Sequence, residues 1–115
     1  ASDLALVGGR QAVAYCASKG AVVMMTKAMA LDHARDNIRV NALCPTDTDT
    51  PMMHRDYVDQ GLQIATGLKN SAAANPMGRV ASPEDVAEAA CFIASAAAGF
   101  ITGVTLSVDG AATAD

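Results

Sequence analysis

No run of apolar residues in this chain approaches the ~18 that a membrane-spanning helix requires, and no charged stretch leads into an apolar one at its start. The expectation is a cytoplasmic protein without membrane contact. Basic residues are also scarce: eight Lys and Arg stand against twelve Asp and Glu, and the net charge of −4 leaves no basic patch for nucleic acid. Cysteine is sparse and odd in number. Cys16, Cys44 and Cys91 lie far apart in apolar surroundings, the pattern of reduced core thiols rather than of a disulfide frame. Neither His33 nor His54 has a partner at ligand spacing, so both read as helix-surface or solvated residues and no metal is assigned. The chain begins at Ala1 without an initiator Met, as an internal piece of a longer protein would.

What is present is a globular composition, 51% hydrophobic and 17% charged, with helix and strand patterns in alternation. From about Val13 to Arg35 the chain is rich in Ala, Met, Leu and Lys and free of Pro, with apolar residues at Ala14, Ala17, Ala21, Met25, Ala28 and Met29; this predicts a long helix. Ile38 to Leu43 reads as a short strand that runs into Cys44-Pro45, where the proline ends regular pairing. A Thr/Asp/Pro loop then leads to an amphipathic helix from Arg55 to Lys69, interrupted by Gly61 and Gly67. Ser82 is a helix N-cap, with Pro83 at the first helical position and Asp85 at the third, and the helix should run to about Ser95. Val104 to Val108 is a final strand, closed by Asp109-Gly110.

This alternation indicates an α/β layer with a parallel sheet. Parallel sheets need support on both faces and both edges, and the further strands would have to come from residues outside this chain. An isolated 115-residue product is therefore expected to be marginal, oligomeric or partly molten.

The chemistry centres on Tyr15 and Lys19, four residues apart on a helix and so on one face of it. A phenol is a poor base at neutral pH, but an adjacent ammonium favours its ionised form and makes it a usable general acid/base. Ser2 lies thirteen residues upstream of Tyr15, so a hydroxyl, a phenol and an ammonium could converge on one reacting atom.

The order and spacing of several segments carry a family resemblance. Ala14-Tyr15-Cys16-Ala17-Ser18-Lys19-Gly20-Ala21-Val22 is followed by Asn37-Ile38-Arg39-Val40-Asn41-Ala42-Leu43-Cys44-Pro45. Then come Asp49-Thr50-Pro51-Met52, Gly78-Arg79-Val80, and Phe100-Ile101-Thr102-Gly103 through Val108-Asp109-Gly110. In this arrangement the chain resembles the short-chain dehydrogenase/reductase family from Ser2 to about Gly110. It resembles only the C-terminal half of that family's domain, from the catalytic Ser onward. The implied fold is the C-terminal part of a Rossmann-like doubly wound parallel sheet, with residues 1–115 as one partial domain and the N-terminal nucleotide-binding half absent. The family's Gly-rich turn, which seats a pyrophosphate on a helix N-terminus, has no counterpart, because the one adjacent pair, Gly8-Gly9, precedes the Tyr15 helix rather than following a strand.

The resemblance implies an NAD(P)-dependent oxidoreductase that interconverts a secondary alcohol and a ketone, with NAD or NADP as cofactor and a small-molecule substrate. Tyr15 matches the acid/base that gives or takes the substrate proton. Lys19 matches the residue that holds the nicotinamide ribose and favours the ionised phenol, and Ser2 matches the hydroxyl that orients the substrate oxygen. The loop from Pro45 to Thr50 resembles the segment that meets the nicotinamide carboxamide, where the family pattern is Pro-Gly, any residue, Ile or Val, any residue, Thr. Pro45 and Thr50 match, Thr48 replaces the aliphatic residue with little change of shape, and Thr46 replaces the glycine. Should that position require a positive φ, Thr46 would store ~1–3 kcal/mol of strain and weaken cofactor binding.

Other positions take structural readings. The cluster Met24, Met25 and Met29 suits core or subunit-interface filling. In this family the Tyr-bearing helix commonly pairs with its copy, which makes Ala21, Met24, Ala28 and Leu31 a candidate surface for a homo-oligomer. Asn41 resembles a position held for packing and backbone hydrogen bonds near the sheet. Met52, Met53 and the helix after them fall where the family places its substrate lid, which Gly61 and Gly67 could loosen. Asp109-Gly110-Ala111 resembles the family's closing Asp-Gly-Gly. Two further readings compete with the enzyme: an inactive remnant that serves as an oligomerisation or partner-binding module, and an isomerase or dehydratase of the same superfamily. The Val108-Asp109-Gly110 ending is typical of the simpler dehydrogenases and tells against the last.

Overall fold

The computed structural model describes residues 1–114. A single 3-10 turn at Asp3–Ala5 leads to helix α1, Val13–His33, which a second such turn at Ala34–Asp36 extends. Strand β1, Ala42–Pro45, follows, then α2 at Pro51–Asp59, α3 at Ile64–Ala74, α4 at Pro83–Ala94 and strand β2 at Thr105–Val108. The two strands pair in parallel, Ala42 opposite Thr105 and Pro45 opposite Val108, and the three helices form the crossover between them. This is the expected α/β arrangement, and no helix of the described residues is long and apolar enough to cross a membrane.

Two boundaries depart from the sequence expectation. The strand expected at Ile38 to Leu43 forms four residues later, because Arg39, Val40 and Asn41 bond to the loop before β2 instead of to a neighbouring strand. Arg39 donates to the carbonyls of Ile93 and Ser95, acceptors left over at the end of α4, and to that of Ile101 in the loop before β2. Asn41 donates to the Ile101 carbonyl and accepts from the Val104 amide at 3.0 Å each, so its side chain stands in for a ladder rung just before the sheet begins. The helix expected from Arg55 to Lys69 is two helices. The first starts earlier, where Thr50 accepts from the Met53 amide and Pro51 takes the first helical position; it stops before Gly61, whose φ of 75° closes the turn.

Helix α4 has the expected start: Ser82 and Asp85 form a reciprocal capping box with Pro83 inside it. The turn after β2 is held by buried Asp109, which accepts from the Ala111 and Thr113 amides and the Thr113 hydroxyl. Ala111 stands there at φ 69°, where the family pattern has glycine, at a cost of roughly 1–2 kcal/mol for a residue with a Cβ.

The core is thin. Its buried apolar side chains are Val23, Ala30, Ala42, Cys44, Met53, Tyr57 and Ala98. The radius of gyration is 15.5 Å and the extents are 50 × 29 × 27 Å, against about 13 Å for a compact domain of near 100 residues. Of the cysteines only Cys44 is a core thiol; Cys16 is half-buried and Cys91 exposed, because α4 shows that side to solvent. Met24, Met25 and Met29 are likewise exposed, as are the other apolar positions from which the α1 helix was read. The buried seam of α1 is instead Val23, Thr26 and Ala30.

Candidate active site

On α1 the residues Tyr15, Lys19, Val23, Thr26 and Ala30 follow at steps of three and four, within roughly 80° of arc around the axis. The buried seam thus carries Tyr15 and Lys19 at its N-terminal end, on the side that faces the rest of the fold. The Lys19 Nζ lies 5.3 Å from the centroid of the Tyr15 ring, within cation–π range. Tyr15 is 41% exposed. Among the described residues neither the Tyr15 hydroxyl nor the Lys19 ammonium has a hydrogen-bond or ion-pair partner. Both groups are therefore available to a ligand.

Ser2 is buried and caps the Asp3–Ala5 turn, which packs against α1 and β1. Its hydroxyl donates to Asp3 Oδ1 at 2.9 Å and accepts from the Leu4 amide at 3.2 Å. The hydroxyl is thus engaged within its own turn, while Tyr15 and Lys19 are brought to each other.

The 45–50 loop leaves the C-terminal end of β1. Pro45 pairs with Val108 as the last residue of the strand, and the Thr46 amide donates to the Val108 carbonyl at 3.3 Å. Thr46 is not among the described non-glycine residues with positive φ, which are Gln11, Asn37 and Ala111, so the anticipated strain at the glycine replacement does not arise. The Thr48 hydroxyl donates to the Thr46 carbonyl at 2.8 Å, and Thr48 forms a parallel bridge with Ala81. The Thr50 hydroxyl caps α2 at 3.4 Å from the Met53 amide. At its far side the loop meets His54, whose Nε2 lies 2.5 Å from Asp49 Oδ1; His33 similarly sits 3.3 Å from Asp36 Oδ2.

The segment where a lid was expected is tighter than its glycines suggest. Gly67 is buried beneath Tyr57, and a Cβ added there would come within about 2.4 Å of the ring, so glycine permits contact between α2 and α3. The Tyr57 hydroxyl also bonds to the Ser71 hydroxyl at 2.8 Å. Gly67 therefore fastens the hairpin rather than loosening it.

Sequence reasoning did not single out Arg79 or Asp85 as partners. The guanidinium grips both carboxylate oxygens, at 2.6 and 2.9 Å. That hydrogen bonding, with the Ser82 amide, holds the Asp85 carboxyl well below the usual carboxylate range, and the pair raises Arg79 in turn. The capping motif was legible around Asp85; the arginine six residues earlier was legible only as part of Gly78-Arg79-Val80.

Comparisons with known proteins place the whole chain. The family model described as enoyl-(acyl carrier protein) reductase matches residues 1–113. The chain is 42% identical over 109 residues to the inactive 2-(S)-hydroxypropyl-CoM dehydrogenase 2 of Xanthobacter autotrophicus, covering 95% of this chain and 47% of that protein. It superposes on the aldohexose dehydrogenase of Thermoplasma acidophilum with a TM-score of 0.93 at 37% identity, covering 100% of this chain and 46% of that one. The NADP-bound structure of ElxO aligns with a TM-score of 0.87 at 27% identity, covering 100% of this chain and 45% of that one. The chain thus spans less than half the length of each.

Proposed function

Because the chain belongs to the short-chain dehydrogenase/reductase family, we propose that it supplies the proton-transfer and nicotinamide-facing half of an NAD(P)-dependent oxidoreductase that interconverts a secondary alcohol and a ketone. The observation that carries this reading is the Tyr15–Lys19 pair, without a partner among the described residues, at the open end of the buried α1 seam. Its donor set fits the nicotinamide end of such a cofactor: a cation beside a phenol, and a threonine-rich loop at the end of a parallel strand, where ligands of open α/β sheets gather. When bound, the nicotinamide supplies or accepts the hydride.

The chain's own residues do the rest. Tyr15 gives a proton to the carbonyl oxygen in reduction and takes it from the hydroxyl in oxidation, with Lys19 holding the ribose hydroxyls. Ser2 holds the substrate oxygen once its hydroxyl turns from Asp3. Pro45, Thr48 and Thr50 shape the loop against the carboxamide. Ala21, Met24, Ala28 and Leu31 are all exposed on the side of α1 opposite Tyr15, so pairing with a second copy there would leave the site open. We assign the protein to the cytoplasm and its substrate to the small-molecule alcohols.

One observation favours a second reading, an inactive module that binds partners: the 42% identical relative is itself named inactive. Steady-state turnover of the full-length protein with NAD and NADP over a panel of secondary alcohols, beside Tyr15→Phe, separates the two. Turnover that falls by about 10²–10⁴ in the variant supports the enzyme. Absence of both turnover and calorimetric cofactor binding supports the module.

A further inference from the structure

The loop assigned to the cofactor does not hold its shape through its own contacts alone. Its backbone is templated by a segment thirty residues further on: the Asp49 amide donates to the Ala81 carbonyl at 2.9 Å, and the Ala81 amide donates to the Asp47 carbonyl at 3.1 Å. These two bonds form the parallel bridge between Thr48 and Ala81. A bridge of this kind orients the loop only as well as its template is fixed.

The template is fixed at both ends by one carboxylate. Asp85 Oδ2 accepts from the Ser82 amide at 2.8 Å and from the Ser82 hydroxyl at 3.1 Å, on the C-terminal side of Ala81. On the N-terminal side Arg79 closes a two-pronged contact to both oxygens of the same Asp85, and its Nη1 also reaches the Val80 carbonyl at 3.3 Å. Residues 79 to 82 are thereby drawn into a closed loop with Ala81 between the two anchors. Such a bidentate pair adds geometric specificity that a point charge lacks. Arg79, Ala81 and Asp85 also line, with Thr46, a cleft of about 270 Å³ beside the end of β2.

We propose that Arg79 is a positioning residue: its grip on Asp85 sets Ala81, and Ala81 sets the 47–49 backbone that meets the nicotinamide carboxamide. This rests on the oxidoreductase reading above. Arg79 is not proposed to touch the cofactor. Its effect should fall on cofactor binding while leaving proton transfer at Tyr15 intact.

The test compares Arg79→Ala, Arg79→Lys and wild type in the full-length protein by kinetics and by amide hydrogen exchange. Arg79→Ala is expected to raise the cofactor KM about tenfold, equivalent to ~1.4 kcal/mol, with the alcohol KM and kcat within about twofold. The Ala81 and Asp49 amides should lose protection together, and Arg79→Lys, which keeps the charge but not the fork, should fall between. Unchanged protection and an unchanged cofactor KM overturn the clamp. Lost protection with an unchanged cofactor KM shows that the clamp acts on a loop the cofactor does not use, which overturns the proposal while sparing the wider enzyme reading. Should Arg79→Ala fail to melt cooperatively, the same comparison is made with Arg79→Lys alone, where equal cofactor KM and equal protection to wild type are the overturning result.

Discussion

The α2–α3 hairpin and helix α1 are opposite solutions to the same problem of burying an amphipathic helix. In the hairpin, Tyr57 is buried against Gly67 and bonded to Ser71, so two short helices fasten to each other across one turn, although Met52, Val58 and Ile64 stay exposed. Helix α1 is longer than either, at 21 residues, yet buries only Val23, Thr26 and Ala30 and shows Met24, Met25 and Leu31 to solvent. The hairpin helices pack on each other, while α1 packs on the Asp3–Ala5 turn and β1 and leaves most of its surface exposed. The difference also divides the chemistry, since the proposed acid/base pair lies on the long exposed helix and the segment expected to form a substrate lid lies in the hairpin.

The comparison breaks most visibly at Gly67. Replacing it with Ala drives a methyl into the Tyr57 ring and should cost about 2–3 kcal/mol, lost mainly from α2 and α3. Hydrogen exchange that opened α1 to the same extent would contradict the hairpin's independence. A milder probe is Tyr57→Phe, which removes the bond to Ser71 and should cost about 1 kcal/mol by chemical denaturation. Smallest in stability is Leu31→Lys on the outward side of α1, where the side chain is 82% exposed. A change within about 0.5 kcal/mol is expected, together with loss of self-association by sedimentation. A large destabilisation would mean that Leu31 supports the fold of a single chain.

Much of the site was readable because its logic is local. Tyr15 and Lys19 at i and i+4 must share a helix face, and Ser82-Pro83-Glu84-Asp85 must open a helix, whatever else surrounds them. The Thr50-Pro51 pair carries the same kind of start signal, and it outweighs the amphipathic pattern that begins at Arg55, which is why α2 begins earlier than expected. Ile38 to Leu43 misled for a different reason. Its β-branched residues suit a strand, but Arg39 and Asn41 spend their side chains on carbonyls and an amide some sixty residues away, a use that periodicity does not encode.

The sequence by itself determined the α/β alternation, the α4 cap and the pairing of Tyr15 with Lys19, since each follows from contacts within a few residues. Only the tertiary structure decided that Thr46 carries no positive φ, that Gly67 is a fastening rather than a hinge, and that Arg79 and Asp85 hold the strip which bridges to Thr48. Those outcomes depend on which distant segments meet. Backbone angle and close approach are properties of the meeting and not of either segment alone.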